Sequence, residues 1–187
     1  NKYPFMKSLR NICILCCIFL SISCSKNLDF NQLDDYTNNP EFISSITYFT
    51  LDSNNFIPNA GTPNVTEITE QSDFRIFENT FIKNNLIKLD FMVEVNNQFN
   101  RDFSIEISLL NDNNNLIYKL NDFKIAANDT DFNQIESIDV LINQNVKNFT
   151  RIELKISLDD TTTPITASDL GTFEFKSAAK VYLETSL

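Results

Sequence analysis

Two runs near the middle of the chain alternate without a break. In LIKLDFMVEV, residues 86–95, Ile87, Leu89, Phe91, Val93 and Val95 share one face, and Lys88, Asp90, Met92 and Glu94 share the other. In FSIEISLL, residues 103–110, Phe103, Ile105, Ile107 and Leu109 stand opposite Ser104, Glu106 and Ser108. A period of two turns one face to a core and the other to water, so both runs predict half-buried antiparallel strands.

Similar runs rich in Phe, Ile, Val, Thr and Tyr predict strands over 42–51, 116–127 (split at Asn121 and Asp122), 150–158 and 172–185, with a bent strand over 65–77 interrupted near Gln71. Between them lie segments with turn chemistry: 59–64 with Gly61 and Pro63, 96–102, the NDNNN run 111–115, and 159–170 with Pro164. Small Ser177, Ala178 and Ala179 predict close approach by another element. Residues 132–146 read two ways. Ile135, Ile138, Ile142 and Val146 have helical spacing, whereas Ile138, Val140 and Ile142 alternate as a strand. A short helix is the preferred reading, because Asn145 and Asn148 would end it ahead of the strand at 150–158. The expected fold is all-β: a single immunoglobulin-like antiparallel β-sandwich of about seven strands with one short helix.

The first part of the chain has another pattern. In MKSLRNICILCCIFLSISC, residues 6–24, Lys7 and Arg10 precede an apolar run from Ile12 to Leu20, followed by small residues and Cys24. The apolar run is far shorter than the roughly 20 residues that span a bilayer. The layout is that of a lipoprotein signal peptide over 6–23, with residues 1–5 upstream of Met6 and Cys24 as the point of lipidation. Ser21 stands where a strict lipobox places Leu. Residues 24–40, polar and acidic, read as a tether that holds the domain 41–187 clear of the membrane.

Processing at Cys24 changes what the composition means. Cys13, Cys16 and Cys17 leave with the signal, so one of the 4 cysteines remains and no intrachain disulfide forms. Residues 1–23 carry Lys2, Lys7 and Arg10 and no acid, so their removal takes the formal charge from −10 to −13. Such a chain repels phosphate backbones, and nucleic acid is excluded as a partner. Membrane attachment is expected through the acylated cysteine rather than through charge.

With no histidine, Ser-His-Asp and Cys-His arrangements and the commonest zinc sites are impossible. Only 2 glycines rule out a glycine-rich phosphate loop. Paired carboxylates of the glycosidase type are the only catalytic chemistry left, and so small a sandwich offers little room for a deep cleft, so no enzyme activity and no catalytic residue is expected. Asp129, Asp131 and Asn133 have the spacing that begins a calcium loop, but Gln134 replaces the glycine and Val140 the closing glutamate of an EF-hand. A loop calcium site drawing on Asp129, Asp131, Asp159 or Asp160 remains the ionic alternative, and no other cofactor is expected. Asp160-Thr161-Thr162 matches an Asp-Thr-X pattern for O-glycosylation at Thr161. Without Trp, glycan platforms reduce to Tyr36, Tyr48, Tyr118 and Tyr182.

In the stretches SISCSK, NLDFNQLDDY, ITYFTLDSNNF and GTFEFKSAAKVYLE the chain resembles outer-membrane lipoproteins of flavobacteria and their Bacteroidota relatives. The resemblance implies a lipid-anchored protein of the outer membrane, on its periplasmic or cell-surface side, and brings no activity with it. A fold with no reactive constellation is expected to work through its surface, as an interaction or accessory module with an outer-membrane protein partner. The alternative is glycan binding, assisted by calcium.

Overall fold

A computed structural model describes residues 37–58 and 64–186. The expected segments 1–5 and 6–23, Cys24, the tether as far as Tyr36, and residues 59–63 of the expected turn segment 59–64, with Gly61 and Pro63, lie outside the described residues. Thr37–Thr185 forms one compact unit.

Among the described residues the strands of the two large sheets, in chain order, are β1 (Glu41–Asp52), β2 (Glu67–Asp73), β3 (Leu86–Asn97), β4 (Phe103–Leu110), β5 (Leu116–Lys119), β6 (Phe123–Ile125), β7 (Phe132–Asp139), β8 (Arg151–Leu158) and β9 (Thr172–Leu183), with a short helix, α1 (Thr80–Asn85). One sheet has the order β1-β9-β3-β7; the other has β2-β8-β4-β5, with β6 also paired to β4. All these pairings are antiparallel. The all-β sandwich predicted from the alternation is therefore what the chain forms.

The path through the sandwich is nested. β1 pairs with β9, β2 with β8, β3 with β7, and β4 with β5 and β6, so the chain is one long antiparallel hairpin folded back at 111–115. Rolling that hairpin brings β9 against β3 and β8 against β4, closing two sheets over one core. This strand order is the jelly-roll arrangement of a β-sandwich, and it differs from immunoglobulin-like connectivity in pairing strands from opposite ends of the chain.

The short helix lies elsewhere than expected. Residues 132–146 open with β7 and continue through a turn into a 3-10 helix, Gln144–Asn148. Ile138, Val140 and Val146 are buried while Ile135 and Ile142 are exposed, which splits the apparent helical stripe; Ile138 and Val140 keep the strand period, and Ile142, in the turn beyond β7, leaves it. The helix forms at Thr80–Asn85, where the Asn79 side chain accepts from the Phe81 and Ile82 N–H groups. β2 runs unbroken through Gln71. The split at Asn121 and Asp122 separates β5 from β6 as expected.

Two aromatic clusters close the ends of the core. At the end where Pro40 leads into β1, here proximal, Phe74, Phe77 and Phe91 pack on Phe149. At the distal end, Phe56, Phe99 and Phe173 surround Phe103. Gly171 lets the β8–β9 loop pass over this cluster, since a Cβ there would stand 2.9 Å from both the Phe99 ring and its backbone nitrogen. Buried Asn97 locks the same end: its amide donates to the Arg101 and Ala126 carbonyls and its Oδ1 accepts from the Phe99 N–H.

Candidate functional site

The outward face of the β1-β9-β3-β7 sheet is built in rows by strand register. One row runs Ile43, Lys180, Asp90, Ser137; the next runs Ser45, Ala178, Met92, Ile135. A bulge at Ile46, where Ser177 and Ala178 face Thr47 and Ser45, then resets β1, so the following row is Tyr48, Lys176, Glu94, Asn133. The middle of this face is apolar: Ile43, Tyr48 and Ile135 are each about three-fifths exposed around half-buried Met92 and Ala178.

Beside that patch sits a buried charge. Asp90 is 7% exposed, and its carboxylate accepts from Ser137 Oγ at 2.6 Å, Tyr182 Oη at 2.7 Å and Lys88 Nζ at 3.0 Å. Burial pushes its pKa up, but the hydrogen bonds from Ser137, Tyr182 and Lys88 outweigh burial and hold it below the ordinary Asp value. Hydrogen bonding to Asp90 raises Lys88 in turn. Lys88 and Lys180 lie 4.5 and 4.9 Å from the centre of the Tyr182 ring, and Lys180 pairs with Glu41 at 2.8 Å. The cluster joins four strands and stiffens the floor next to the apolar row. Tyr182 was singled out from the sequence only as an aromatic; Asp90 and Ser137 were not, because nothing local marks residues that meet through three different strands.

The carboxylates considered for calcium stand in two distal loops. Asp129 and Asp131 share the β6–β7 loop, where Asp129 Oδ1 accepts from the Asp131 N–H at 3.2 Å. In the β8–β9 loop, Asp159 accepts from Ser104 and from Lys124 at 3.0 Å, and these bonds, against the opposing effect of burial, hold its pKa low. Asp160 accepts from the Thr162 hydroxyl at 2.6 Å and its N–H at 2.9 Å, which lowers its pKa and leaves Thr161 exposed at the turn. Among the described residues no group of three or more acidic or cysteine side chains is gathered closely enough to hold a metal ion. Tyr118 packs partly buried against the core, Tyr48 is the exposed tyrosine, and Tyr36 lies outside the described residues. Among the described residues no helix is long and apolar enough to cross a membrane.

No family model matches the chain, and no curated protein matches it in sequence. Among solved structures, a Parabacteroides distasonis protein inferred to be secreted aligns over 62% of this chain and 37% of its own at 16% identity, TM-score 0.47. VP2 of infectious bursal disease virus, in a subviral particle, aligns over 80% of this chain and 33% of its own at 11% identity, TM-score 0.36. The enzymatically active domain of tailspike protein 4 of bacteriophage CBA120 aligns over 81% of this chain and 20% of its own at 10% identity, TM-score 0.34. The chain thus spans well under half the length of each, and likenesses this remote carry no argument about function.

Proposed function

We propose that this protein is a lipid-anchored, non-catalytic module of the outer membrane, held by acylated Cys24, that works by binding a protein partner through the outward face of its β1-β9-β3-β7 sheet. The observation that carries this reading is the apolar centre of that face, Met92 and Ala178 framed by Ile43, Tyr48 and Ile135, on a floor pinned by Asp90. An apolar core with a polar rim is the anatomy of a protein-binding patch. Glycosylation at Thr161, on the distal turn, belongs to the same exported life and leaves the patch free.

The lipidated protein, purified from gently solubilised membranes of its own cells, should bring down a membrane protein that Ile135→Lys releases and Glu106→Gln, on the opposite sheet, retains. Recovery of the bait alone, or a partner indifferent to Ile135→Lys, sinks the reading. A second reading, glycan binding, is favoured by Tyr48 with Lys176 Nζ 5.9 Å from its ring centre. It requires binding to a polysaccharide array that Tyr48→Ala abolishes, and calcium enters only if the ion raises the melting temperature.

A further inference from the structure

Large apolar side chains also stand exposed at the proximal end, apart from the sheet face. Phe81 on α1 is 56% exposed, and Leu141 and Ile142, in the turn after β7, are 67% and 78% exposed. That turn is held rather than loose: the Asp139 carboxylate accepts from the Leu141 N–H at 2.8 Å and the Ile142 N–H at 3.4 Å, so the two side chains project from a fixed tip.

A short series of contacts places these tips beside the point where the chain enters the sandwich. The Leu183 N–H bonds the Pro40 carbonyl, and the Glu184 N–H bonds the Asn85 carbonyl at the end of α1. Lys83 on α1 reaches Asn148 Oδ1 at 2.9 Å, joining α1 to the 3-10 helix that follows Leu141 and Ile142. Lys83 and Lys147 have no carboxylate partner among the described ion pairs, whereas Arg75 and Lys180, at the same end, are paired with Glu78 and Glu41. The proximal end carries acids of its own, Asp73, Glu78, Asp112 and Asp139, but the distal end is the more acidic. Asp102, Asp129, Asp131, Asp159, Asp160 and Asp169 crowd its loops, and the cations there, Arg101 and Lys124, are paired with Asp169 and Asp159.

We propose that the proximal end docks directly on the lipid surface, with Phe81, Leu141 and Ile142 entering the headgroup layer, Lys83 and Lys147 at the level of the phosphates, and the acidic distal end turned away. Protruding apolar tips flanked by lysines that no described carboxylate neutralises suit an interface between hydrocarbon and anionic headgroups; a protein partner is better served by the flatter sheet face. Three side chains give a weak contact alone. The inference therefore rests on the reading of Cys24 as acylated, because an anchor that holds the domain at the surface makes the contact effectively intramolecular. The contact then orients the sandwich, leaving the apolar sheet face standing along the membrane normal and open from the side.

The chain has no Trp, so a single introduced indole is a clean reporter. Leu141→Trp and Phe81→Trp are compared with Leu170→Trp, a distal position 96% exposed, in lipidated full-length protein on phosphatidylethanolamine–phosphatidylglycerol vesicles with brominated acyl chains. Expected are blue-shifted emission and at least twofold stronger quenching for Leu141→Trp and Phe81→Trp than for Leu170→Trp. Equal quenching at all three positions, in protein that floats with the vesicles, overturns the docking and leaves the anchor standing. A blue shift without quenching, as when a second copy or a protein covers the tips, also overturns it. Flotation that survives Cys24→Ala but is lost with Leu141→Asp keeps the docking and removes the anchor. Protein that does not float with Cys24 intact overturns both.

Discussion

The two sheets share one core and present opposite surfaces to water. On the β2-β8-β4-β5 sheet the middle outward rows are polar: Thr69, Lys155 and Glu106 lie side by side, next to Gln71, Glu153, Ser108 and Lys119. Glu106 alone takes Lys119 at 2.7 Å and Lys155 at 2.9 Å, and these hydrogen bonds hold its pKa below the ordinary Glu value. On the β1-β9-β3-β7 sheet the middle row, Ala178, Met92 and Ile135 beside Ser45, is largely apolar, and Ile43 and Tyr48 extend it into the flanking rows that carry Lys180 with buried Asp90 and Lys176 with Glu94. Both faces obey the same period of two, so alternation gives them no reason to differ. What differs is whether the outward residues satisfy one another: one face is closed by its own ion pairs, while the other leaves apolar area that no other described residue covers.

The largest test of this contrast removes the central acid of each face. Asp90→Ala takes a buried acceptor from three donors, and charge-assisted hydrogen bonds of this kind put the expected loss at about 3 kcal/mol in urea unfolding. Glu106→Ala breaks pairs that water already screens, since the Glu106 side chain is 32% exposed and those of Lys119 and Lys155 are 40% and 33% exposed, and should cost below about 1 kcal/mol. Equal losses would mean that Asp90 is no more than another surface pair.

Acid sharpens the same contrast without removing side-chain volume. Asp90 is held below its ordinary value in the folded protein, so the unfolded chain binds this proton more tightly. Its contribution is complete above the unfolded carboxylate range, near pH ~4, and is lost as pH falls through the lower folded value. The stability gap between the natural protein and Asp90→Asn should therefore be widest at neutral pH and narrow below pH ~4. A gap that stays constant down to pH ~2 would show that the amide fails by shape rather than by charge.

How far these features were legible follows from the range of the interactions. The strands at 86–95 and 103–110 were readable because a period of two is written in adjacent residues. The strand order was not, since Glu41 meets Tyr182 and Glu67 meets Ser157 only after the long hairpin has closed and rolled. The short helix was sought in the isoleucines of 132–146, yet burial there follows the strand, and the helix forms where Asn79 caps a segment with no long apolar stripe. Asp90 was readable as a polar-face residue and nothing more, because its partners Ser137 and Tyr182 are 47 and 92 positions away. The apolar patch was invisible for the same reason: Met92 reads as a polar-face residue, Ala178 as a point of close approach and Ile135 as part of a helical stripe until register lines them up.

The smallest effect concerns how salt acts on the two faces. A double-mutant cycle of Glu106→Gln with Lys155→Met should give a coupling of about 0.5 kcal/mol at low ionic strength. It should fall toward zero in ~1 M NaCl, where the Debye length of about 3 Å is no longer than the contact itself. The parallel cycle of Asp90→Asn with Lys88→Met joins an acid whose side chain is 10% exposed to a lysine that is 42% exposed. Ions reach only one side of that pair, and Ser137 and Tyr182 occupy the rest of the carboxylate, so its coupling should survive the same salt largely intact. If both couplings vanish together, Asp90 is as screened as Glu106, and the face that carries the apolar patch has no stiffer floor than the face that does not.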